Sequence, residues 1–146
     1  INNGTADTIG SDHAPHTIEE KRADYPNSPS GMPGVQTLVP IMLNHVNNGK
    51  LKLERFVELT SYNPSELFKI KGKGKIAIGY DADFTIVDMN KERVITNDWI
   101  ASKCGWTPYN NMKVKGWPIM TIIRNNIVMK DDIVFDPLGK PMSFVR

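Results

Sequence analysis

The densest group of chemically reactive side chains is the hexapeptide SDHAPH at residues 11–16. It places the carboxylate of Asp12 and the imidazoles of His13 and His16 within five residues. A carboxylate can ligate a metal ion or move a proton, and imidazoles titrate near neutral pH. Asp and His side chains also serve as turn formers and loop staples. The spacing alone therefore leaves a reactive site and a purely structural loop as open alternatives.

The segment before the hexapeptide predicts a short β-strand. Residues 5–10 read TADTIG, with β-branched side chains at Thr8 and Ile9. The hexapeptide would then follow the C-terminal end of a strand, which is the catalytic face in α/β barrel enzymes. A polar loop follows at residues 17–34, with three prolines and two glycines. Loops of this length in compact domains are usually functional or disordered.

Three helices are predicted after this loop. Residues 36–48 have apolar side chains at spacings of three and four, which indicates one buried helical stripe. Gly49 is placed to end that helix. A second helix is predicted at residues 53–60, and a third at residues 63–68 with Asn63 as its N-cap. The residues of the stripe are Leu38, Val39, Met42, Leu43 and Val46.

The composition then changes to a β pattern. Residues 69–75 read KIKGKGK, which we interpret as a solvated hinge because it lacks the Lys-Ser/Thr pair and the helix start of a phosphate loop. Asn125 and Asn126 are predicted to form a tight hairpin turn between two strands. The predicted strands lie at residues 75–78, 83–89, 112–114, 119–124 and 127–130. The chain thus has two parts, residues 1–72 and residues 73–146.

Composition and charge exclude several classes of protein. The 146 residues are 40% hydrophobic and 23% charged, with a formal net charge of +2, which is typical of a soluble globular protein. That charge is too close to neutral to favour nucleic acid or an anionic membrane as a partner. No apolar run approaches the roughly 20 residues of a membrane span. Cys104 is the one cysteine, so an internal disulfide is excluded and a cytoplasmic location is expected.

The first residue also carries information. The chain begins with Ile1 rather than Met, and a predicted strand follows within the first ten residues. We therefore expect these residues to be the downstream piece of a longer protein. Ordinary removal of an initiator Met or of a tag is the alternative.

Four segments resemble the dihydroorotases of the amidohydrolase superfamily. The hexapeptide, the EEK at residues 19–21 and the SPSGMPGVQT at residues 28–37 are similar to the dihydroorotase signature. GKGKIAIGYDADFTIVD at residues 72–88 resembles the passage where such chains leave the barrel. Gln36 departs from the pattern, since many relatives have Glu there. The resemblance covers nearly the whole chain.

This resemblance implies an α/β fold. Residues 1–72 would be the last strand, active-site loop and helices of a (β/α)₈ TIM-like metal-dependent hydrolase barrel. Residues 73–146 would form part of a composite β-sandwich. Both assignments follow from the family and are expectations for this chain.

The resemblance also implies roles for individual residues. Asp12 corresponds to the aspartate that ligates zinc and acts as general base and then general acid. His16 corresponds to the histidine that holds the carboxylate of the substrate. Ser30 and Gly31 correspond to loop positions whose backbone contacts the substrate ring. His13 is interpreted as a packing group rather than a ligand.

The implied reaction is the zinc-dependent, reversible hydrolysis of dihydroorotate to N-carbamoyl-L-aspartate in pyrimidine biosynthesis. One or two zinc ions are implied. The family's His-x-His pair, bridging carboxylated lysine and two further histidines have no counterpart in this sequence. Asp12 alone cannot hold a catalytic zinc ion, because such sites usually need three protein ligands. We therefore expect these residues alone to be inactive and to bind zinc poorly.

Two other functions remain open. The first is another cyclic amidase, such as a hydantoinase, dihydropyrimidinase or allantoinase. The second is a non-catalytic homologue that acts as a scaffold for aspartate transcarbamoylase. The expected partners are a small-molecule substrate, further copies of the same chain and, as a candidate, aspartate transcarbamoylase.

Overall fold

Helices occupy the first half of the chain and strands the second half in the computed structural model, which describes residues 1–136 and 139–145. The described helices thus all precede the strands, and the assignment of residues 1–72 and 73–146 to two structural parts remains a prediction. The helices are α1 (Ile18–Lys21), α2 (Leu38–Asn47), α3 (Leu53–Val57), a π-helical turn (Glu58–Tyr62) and α4 (Asn63–Leu67). The strands are β1 (Phe84–Val94), β2 (Lys113–Ile123), β3 (Asn126–Lys130) and β4 (Ile133–Val134), with a 3₁₀ turn at Asn97–Trp99.

Helix α2 is the central helix, and it forms where the apolar stripe predicted it. Its buried residues are Pro40, Ile41, Met42 and Leu43, and the predicted stripe residues Leu38, Val39 and Val46 are partly buried against Met42 and Leu43. Pro40 lies in the first turn, where its missing N–H leaves no helical hydrogen bond unmade. Gly49 follows the helix with a φ of +68°, the left-handed conformation that commonly ends helices.

The second and third predicted helices are one continuous helical segment. The backbone N–H of Asn63 donates to the carbonyl of Glu58, which is the spacing of a π-helical turn. Asn63 is therefore the first residue of α4 rather than a cap, and that prediction is wrong. No free helix start exists for its side chain to cap. Its amide group donates instead to the carbonyl of Asp7, at 2.8 Å.

The four strands form one antiparallel sheet in the order β1-β2-β3-β4. The predicted strands at residues 112–114 and 119–124 belong to the single strand β2. The hairpin turn between β2 and β3 lies at Arg124 and Asn125, which have φ values of 45° and 64°. Two consecutive left-handed residues are typical of a type I′ turn. The predicted turn was therefore one residue too far along the chain.

Two predicted strands are not formed. Residues 75–78 contain no strand, and Ile76 and Ile78 are 87% and 105% exposed. Residues 5–10 also contain no strand, although the N–H of Ile9 donates to the carbonyl of Leu59 at 3.2 Å. A strand exists only with a neighbour that completes its ladder of hydrogen bonds. The described residues place no such neighbour beside either segment.

The core lies between α2 and the sheet. Gly116 has a φ of +98°, and a Cβ added there would lie 2.7 Å from the Cβ of Leu43, so glycine permits this close approach. Residues from both halves of the chain fill the core, so residues 1–72 and 73–146 share it. One cluster contains Ile41, Ile95, Val114 and Trp117, and the other contains Met42, Leu43, Leu51 and Phe56, with Val87 and Met89 packed against it.

Candidate functional site

Asp12 lies at the start of an exposed loop with its carboxylate free. Its φ of 44° is in the left-handed region, which Asp tolerates better than most residues because its short side chain is polar. The residue is exposed. Within residues 1–136 and 139–145 its carboxylate has no hydrogen-bond or ion-pair partner. The carboxylate is thus available to an external proton donor or metal ion.

His13 has a structural function in the loop. Its Nδ1 accepts a hydrogen bond from the N–H of Gly34 at 3.1 Å, and the N–H of Val35 lies 3.4 Å away. A nitrogen that accepts from the backbone uses the lone pair that a metal would need. His13 is therefore a hydrogen-bonded residue of an exposed loop, and its interpretation as a packing group rather than a ligand remains a prediction.

A parallel bridge brings the loop containing Ser30 and Gly31 against the hexapeptide. His13 pairs with Met32, and the N–H of Ala14 donates to the carbonyl of Met32 at 2.9 Å. Gly31 has a φ of +96°, and a Cβ added there would lie 2.6 Å from the Cβ of Ala14. The residue must therefore be glycine for the two segments to meet. Four of the predicted site residues, Asp12, His16, Ser30 and Gly31, are thus brought to one loop region.

Helix α1 stabilises this loop through a capping box at its start and through Lys21, its last residue. The N–H of Glu20 donates to the hydroxyl of Thr17 at 3.2 Å, and the N–H of Thr17 donates to the carboxylate of Glu20 at 2.8 Å. This reciprocal pair is a capping box. The ammonium of Lys21 donates to the carbonyls of Pro29 and Gly31. Our sequence interpretation missed both features, although the T-x-x-E spacing at residues 17–20 is the signal of a capping box.

His16 has a fixed backbone and an accessible ring. Its N–H donates to the carbonyl of Ala14 at 3.0 Å, and its carbonyl accepts from the indole Nε1 of Trp106 at 2.7 Å. The side chain is 38% exposed, and its Nδ1 lies 3.5 Å from the carboxylate of Glu20. A protonated ring would form an ion pair there and would still present Nε2–H to an anion.

Residues 100–106, which we call the crossing loop, connect the β half to this site. The side-chain Nε2 of Gln36 donates to the carbonyl of Trp99, and its Oε1 accepts from the N–H of Ala101, both at 2.8 Å. Trp106 lies at the other end of the loop and reaches His16, 90 residues away in sequence. Local spacing gives no signal for such a contact, so sequence reasoning did not identify Trp106.

The metal ligands present are too few for a complete site. Among the described residues, no three His, Cys, Asp or Glu side chains lie close enough together to hold a metal ion. Asp12 can supply one carboxylate ligand, whereas catalytic zinc usually has three protein ligands. A zinc centre would therefore need ligands from outside the described residues.

Residues 1–128 match the family model described as the amidohydrolase family, and the chain belongs to this family. It is 46% identical to the dihydroorotase of Methanosphaera stadtmanae over 129 residues, which cover 88% of this chain and 30% of that protein. It is 50% identical to the dihydroorotase of Pyrococcus abyssi over 133 residues, covering 91% of this chain and 31% of that protein. The resemblance to dihydroorotases is thereby confirmed. The chain spans about 30% of the length of these curated relatives.

Solved structures give a related result. An L-hydantoinase (dihydropyrimidinase) from Arthrobacter aurescens matches with a TM-score of 0.87 and 34% identity, covering 92% of this chain and 31% of that chain. A dihydropyrimidinase from Brevibacillus agri matches with a TM-score of 0.80 and 30% identity, covering 90% of this chain and 30% of that chain.

None of the helices in residues 1–136 and 139–145 is long and apolar enough to cross a membrane.

Proposed function

We propose that these residues belong to a dihydroorotase, which reversibly hydrolyses the ring amide of dihydroorotate to N-carbamoyl-L-aspartate. The observation that carries the proposal is the free carboxylate of Asp12 on a loop that also holds His16 and Gly31. The identity of 46–50% to curated dihydroorotases supports this substrate class.

The proposed whole protein is a (β/α)₈ barrel hydrolase with a composite β-sandwich. Residues 1–72 would contribute the end of the barrel and residues 73–146 part of the sandwich. The likeness to the L-hydantoinase structure over 92% of this chain supports a shared architecture. The four-stranded sheet would supply one part of the sandwich. The shared core implies that the two parts fold together rather than as separate domains.

Asp12 is the proposed catalytic residue. Hydrolysis of a ring amide requires a base to take a proton from the attacking water and an acid to protonate the departing ring nitrogen. One unpartnered carboxylate can perform both steps in sequence if it lies within hydrogen-bonding distance of both atoms. Zinc, in one or two ions as the family resemblance implies, would lower the pKa of bound water to about 7. Asp12 would be one of its ligands, and the other ligands would come from sequence outside these residues.

His16, Ser30 and Gly31 are the proposed substrate-binding residues. A protonated imidazole at His16 would form a charge-assisted hydrogen bond with the substrate carboxylate. The carbonyl of Gly31 already accepts from Lys21. In the part of the chain that the structure describes, the backbone N–H groups of Ser30 and Gly31 have no acceptor. These two exposed donors are therefore available to oxygen atoms of the substrate ring.

The replacement Asp12→Asn in the full-length protein tests the proposed function. It keeps the size of the side chain and removes its basicity, so we expect turnover of dihydroorotate to fall by about 10²–10⁴-fold. Asp7→Asn is the matched control, since Asp7 is also exposed and its carboxylate has no partner among the described residues. Colorimetric detection of N-carbamoyl-aspartate measures both variants. Equal activity of Asp12→Asn and Asp7→Asn would refute the assignment.

A related cyclic amidase is the second candidate function, because the L-hydantoinase structure matches with a TM-score of 0.87. His16→Ala separates the two candidates. In a dihydroorotase it should raise the KM for dihydroorotate strongly and leave the KM for an uncharged hydantoin unchanged. Turnover of a hydantoin but not of dihydroorotate by the unaltered protein would favour the second candidate. A correctly folded, metal-loaded protein with neither activity would favour the non-catalytic homologue that acts as a scaffold for aspartate transcarbamoylase.

The proposed partners follow from the proposed function. The substrate is a small molecule that carries a carboxylate. Assembly into a homo-oligomer, association with aspartate transcarbamoylase and a cytoplasmic location remain predictions. Size-exclusion chromatography with light scattering on the full-length protein, alone and mixed with that partner enzyme, measures both kinds of assembly.

A further inference from the structure

The crossing loop is itself firmly held. The N–H of Thr107 donates to the side-chain oxygen of Asn97 at 3.0 Å, and the N–H of Asn97 donates to the side-chain oxygen of Asn110 at 2.9 Å. Thr107 is 5% exposed. Gln36 fixes the opposite end of the loop through two hydrogen bonds. The indole of Trp106 therefore extends from a constrained backbone, and its N–H can hold a partner in place.

That partner is one peptide unit of the proposed site. The carbonyl of His16 and the N–H of Thr17 belong to the same planar peptide group. The indole of Trp106 donates to this carbonyl at 2.7 Å, and this N–H donates to the carboxylate of Glu20 at 2.8 Å. The peptide group is thus fixed on both sides. Rotation of the peptide plane would change the backbone angles of His16 and move its imidazole.

We propose that Trp106 is a positioning residue, which fixes the backbone of His16 so that the imidazole meets the carboxylate of the substrate. The inference rests on the proposed function, because that function assigns carboxylate binding to His16. Trp106 itself does not contact the substrate in this account. Its effect is on substrate binding and not on the proton transfers assigned to Asp12.

Trp106→Phe in the full-length protein tests the inference. The replacement keeps an aromatic ring and removes the indole N–H, so the KM for dihydroorotate should rise about three- to tenfold while kcat changes less than about twofold. Trp99→Phe is the matched control, because its indole donates to Asp132 at 3.2 Å and not to His16. In a His16→Ala background, Trp106→Phe should produce no further rise in KM. A purely structural role would lower the active fraction and leave KM unchanged.

A second measurement requires no turnover. Diethylpyrocarbonate modifies accessible histidines, and mass spectrometry can compare the rates at His16 and His45 within one protein. Trp106→Phe should change the rate at His16 by about twofold or more and leave the rate at His45 unchanged. Trp99→Phe should change neither rate. Equal behaviour of the two tryptophan variants in KM and in modification overturns the inference.

These experiments distinguish failure of the positioning role of Trp106 from failure of the proposed function. If His16→Ala raises KM and Trp106→Phe does not, the positioning inference alone fails. If His16→Ala leaves KM unchanged, the substrate role of His16 fails and the inference fails with it. If the protein turns over no dihydroorotate, the proposed function fails, and the modification rate at His16 decides the positioning.

Discussion

Replacement of Gly31 by alanine would directly perturb the contact between the hexapeptide and the following loop. The residue has a φ of +96°, and the new Cβ would lie 2.6 Å from the Cβ of Ala14. A left-handed backbone costs an L-residue roughly 1–2 kcal/mol, and inserting a methyl group into an occupied space costs about 1–3 kcal/mol. Gly31 is exposed, so the loop can relax. We therefore expect the free energy of unfolding to fall by about 2 kcal/mol, the lower end of the combined range.

The effect on activity should exceed the effect on stability. Ordinary van der Waals contact begins at 3.4 Å, so the loop must move away from Ala14 by about 0.8 Å or more. The N–H groups of Ser30 and residue 31 would move with it. A misplacement of about 1 Å can lower the rate about 10²-fold. We expect kcat/KM for dihydroorotate to fall by between about 10-fold and 100-fold.

Chemical denaturation and steady-state kinetics of the full-length protein measure the two effects. Gly139→Ala is the control, because a Cβ there meets nothing within 4 Å and the backbone is not left-handed. The double variant Gly31→Ala with Ala14→Gly removes the clashing Cβ, and the nearest remaining atoms of residue 14 lie at 3.8 Å and 3.9 Å. It should recover activity and retain the backbone strain. If Gly31→Ala behaves like Gly139→Ala, or if the double variant does not recover activity, the contact between residue 31 and Ala14 does not position the loop.

Three further replacements in the full-length protein test contacts around the site and the sheet. Lys21→Met removes two charge-assisted hydrogen bonds to loop carbonyls, so the KM for dihydroorotate should rise about tenfold; a KM equal to that of the wild type contradicts this. In Gln36→Glu the new carboxylate cannot donate to the carbonyl of Trp99. The free energy of unfolding measured in urea should therefore fall by about 1–3 kcal/mol at pH 7. This destabilisation should become smaller below about pH 5, where the new carboxylate is protonated and can donate again. A destabilisation that does not change with pH would contradict the role of the hydrogen bond to the Trp99 carbonyl. Burial opposes ionisation of Asp83, but hydrogen bonds from Lys73 and a backbone N–H outweigh it and lower its pKa. The ion pair with Lys73 therefore stabilises the fold at neutral pH and is lost as the pH falls through that lowered pKa. Lys73 also pairs with Asp81, so Asp83→Asn, which keeps an acceptor for the N–H of Arg124, is the variant that isolates this ion pair. Its stability difference from the wild type, under about 1 kcal/mol at pH 7, should disappear in that acidic range; a difference that persists there would exclude this ion pair as its source.

The parts of the fold that depend on local periodicity were predictable from the sequence. The apolar stripe predicted α2 because its residues pack into one hydrophobic cluster, in which Met42 and Leu43 are buried and Leu38, Val39 and Val46 are partly buried. The hairpin was also predicted, but its turn was misplaced by one residue. Asn residues favour left-handed turns, and the sequence offered Asn125 and Asn126. The structure uses Arg124 and Asn125, since the register of β2 against β3 pairs Ile123 with Asn126.

The parts that depend on distant partners were not predictable. Residues 5–10 and 75–78 have β-forming side chains, but a strand also needs an adjacent strand, which no local pattern specifies. The continuous helical segment through Asn63 shows the same limit. An Asn-Pro pair commonly starts a helix, but here the preceding π-helical turn already supplies an acceptor for the N–H of Asn63.

The candidate site shows the same limit. Some of its residues could be predicted from a short stretch of sequence, and others depend on contacts between distant residues. Asp12 and His16 were predicted from the hexapeptide, because their types and spacing are visible in a short stretch of sequence. Trp106 was not identified, because it contacts His16 from 90 residues away. The capping box of Thr17 and Glu20 is local and was missed although its spacing was present in the sequence.

Several polar side chains near Asp12 form hydrogen bonds within the loop and are therefore not available to a substrate or metal ion. His13 accepts from Gly34, Glu20 accepts within the capping box, and Lys21 donates to loop carbonyls. Each of these polar groups is used to hold the loop, whereas the carboxylate of Asp12 has no partner in the described part of the chain. The carboxylate of Asp12 lies in the same loop region as His16 and Gly31 and is free to meet an external proton donor or metal ion, and this placement is the physical basis for the proposed catalytic role.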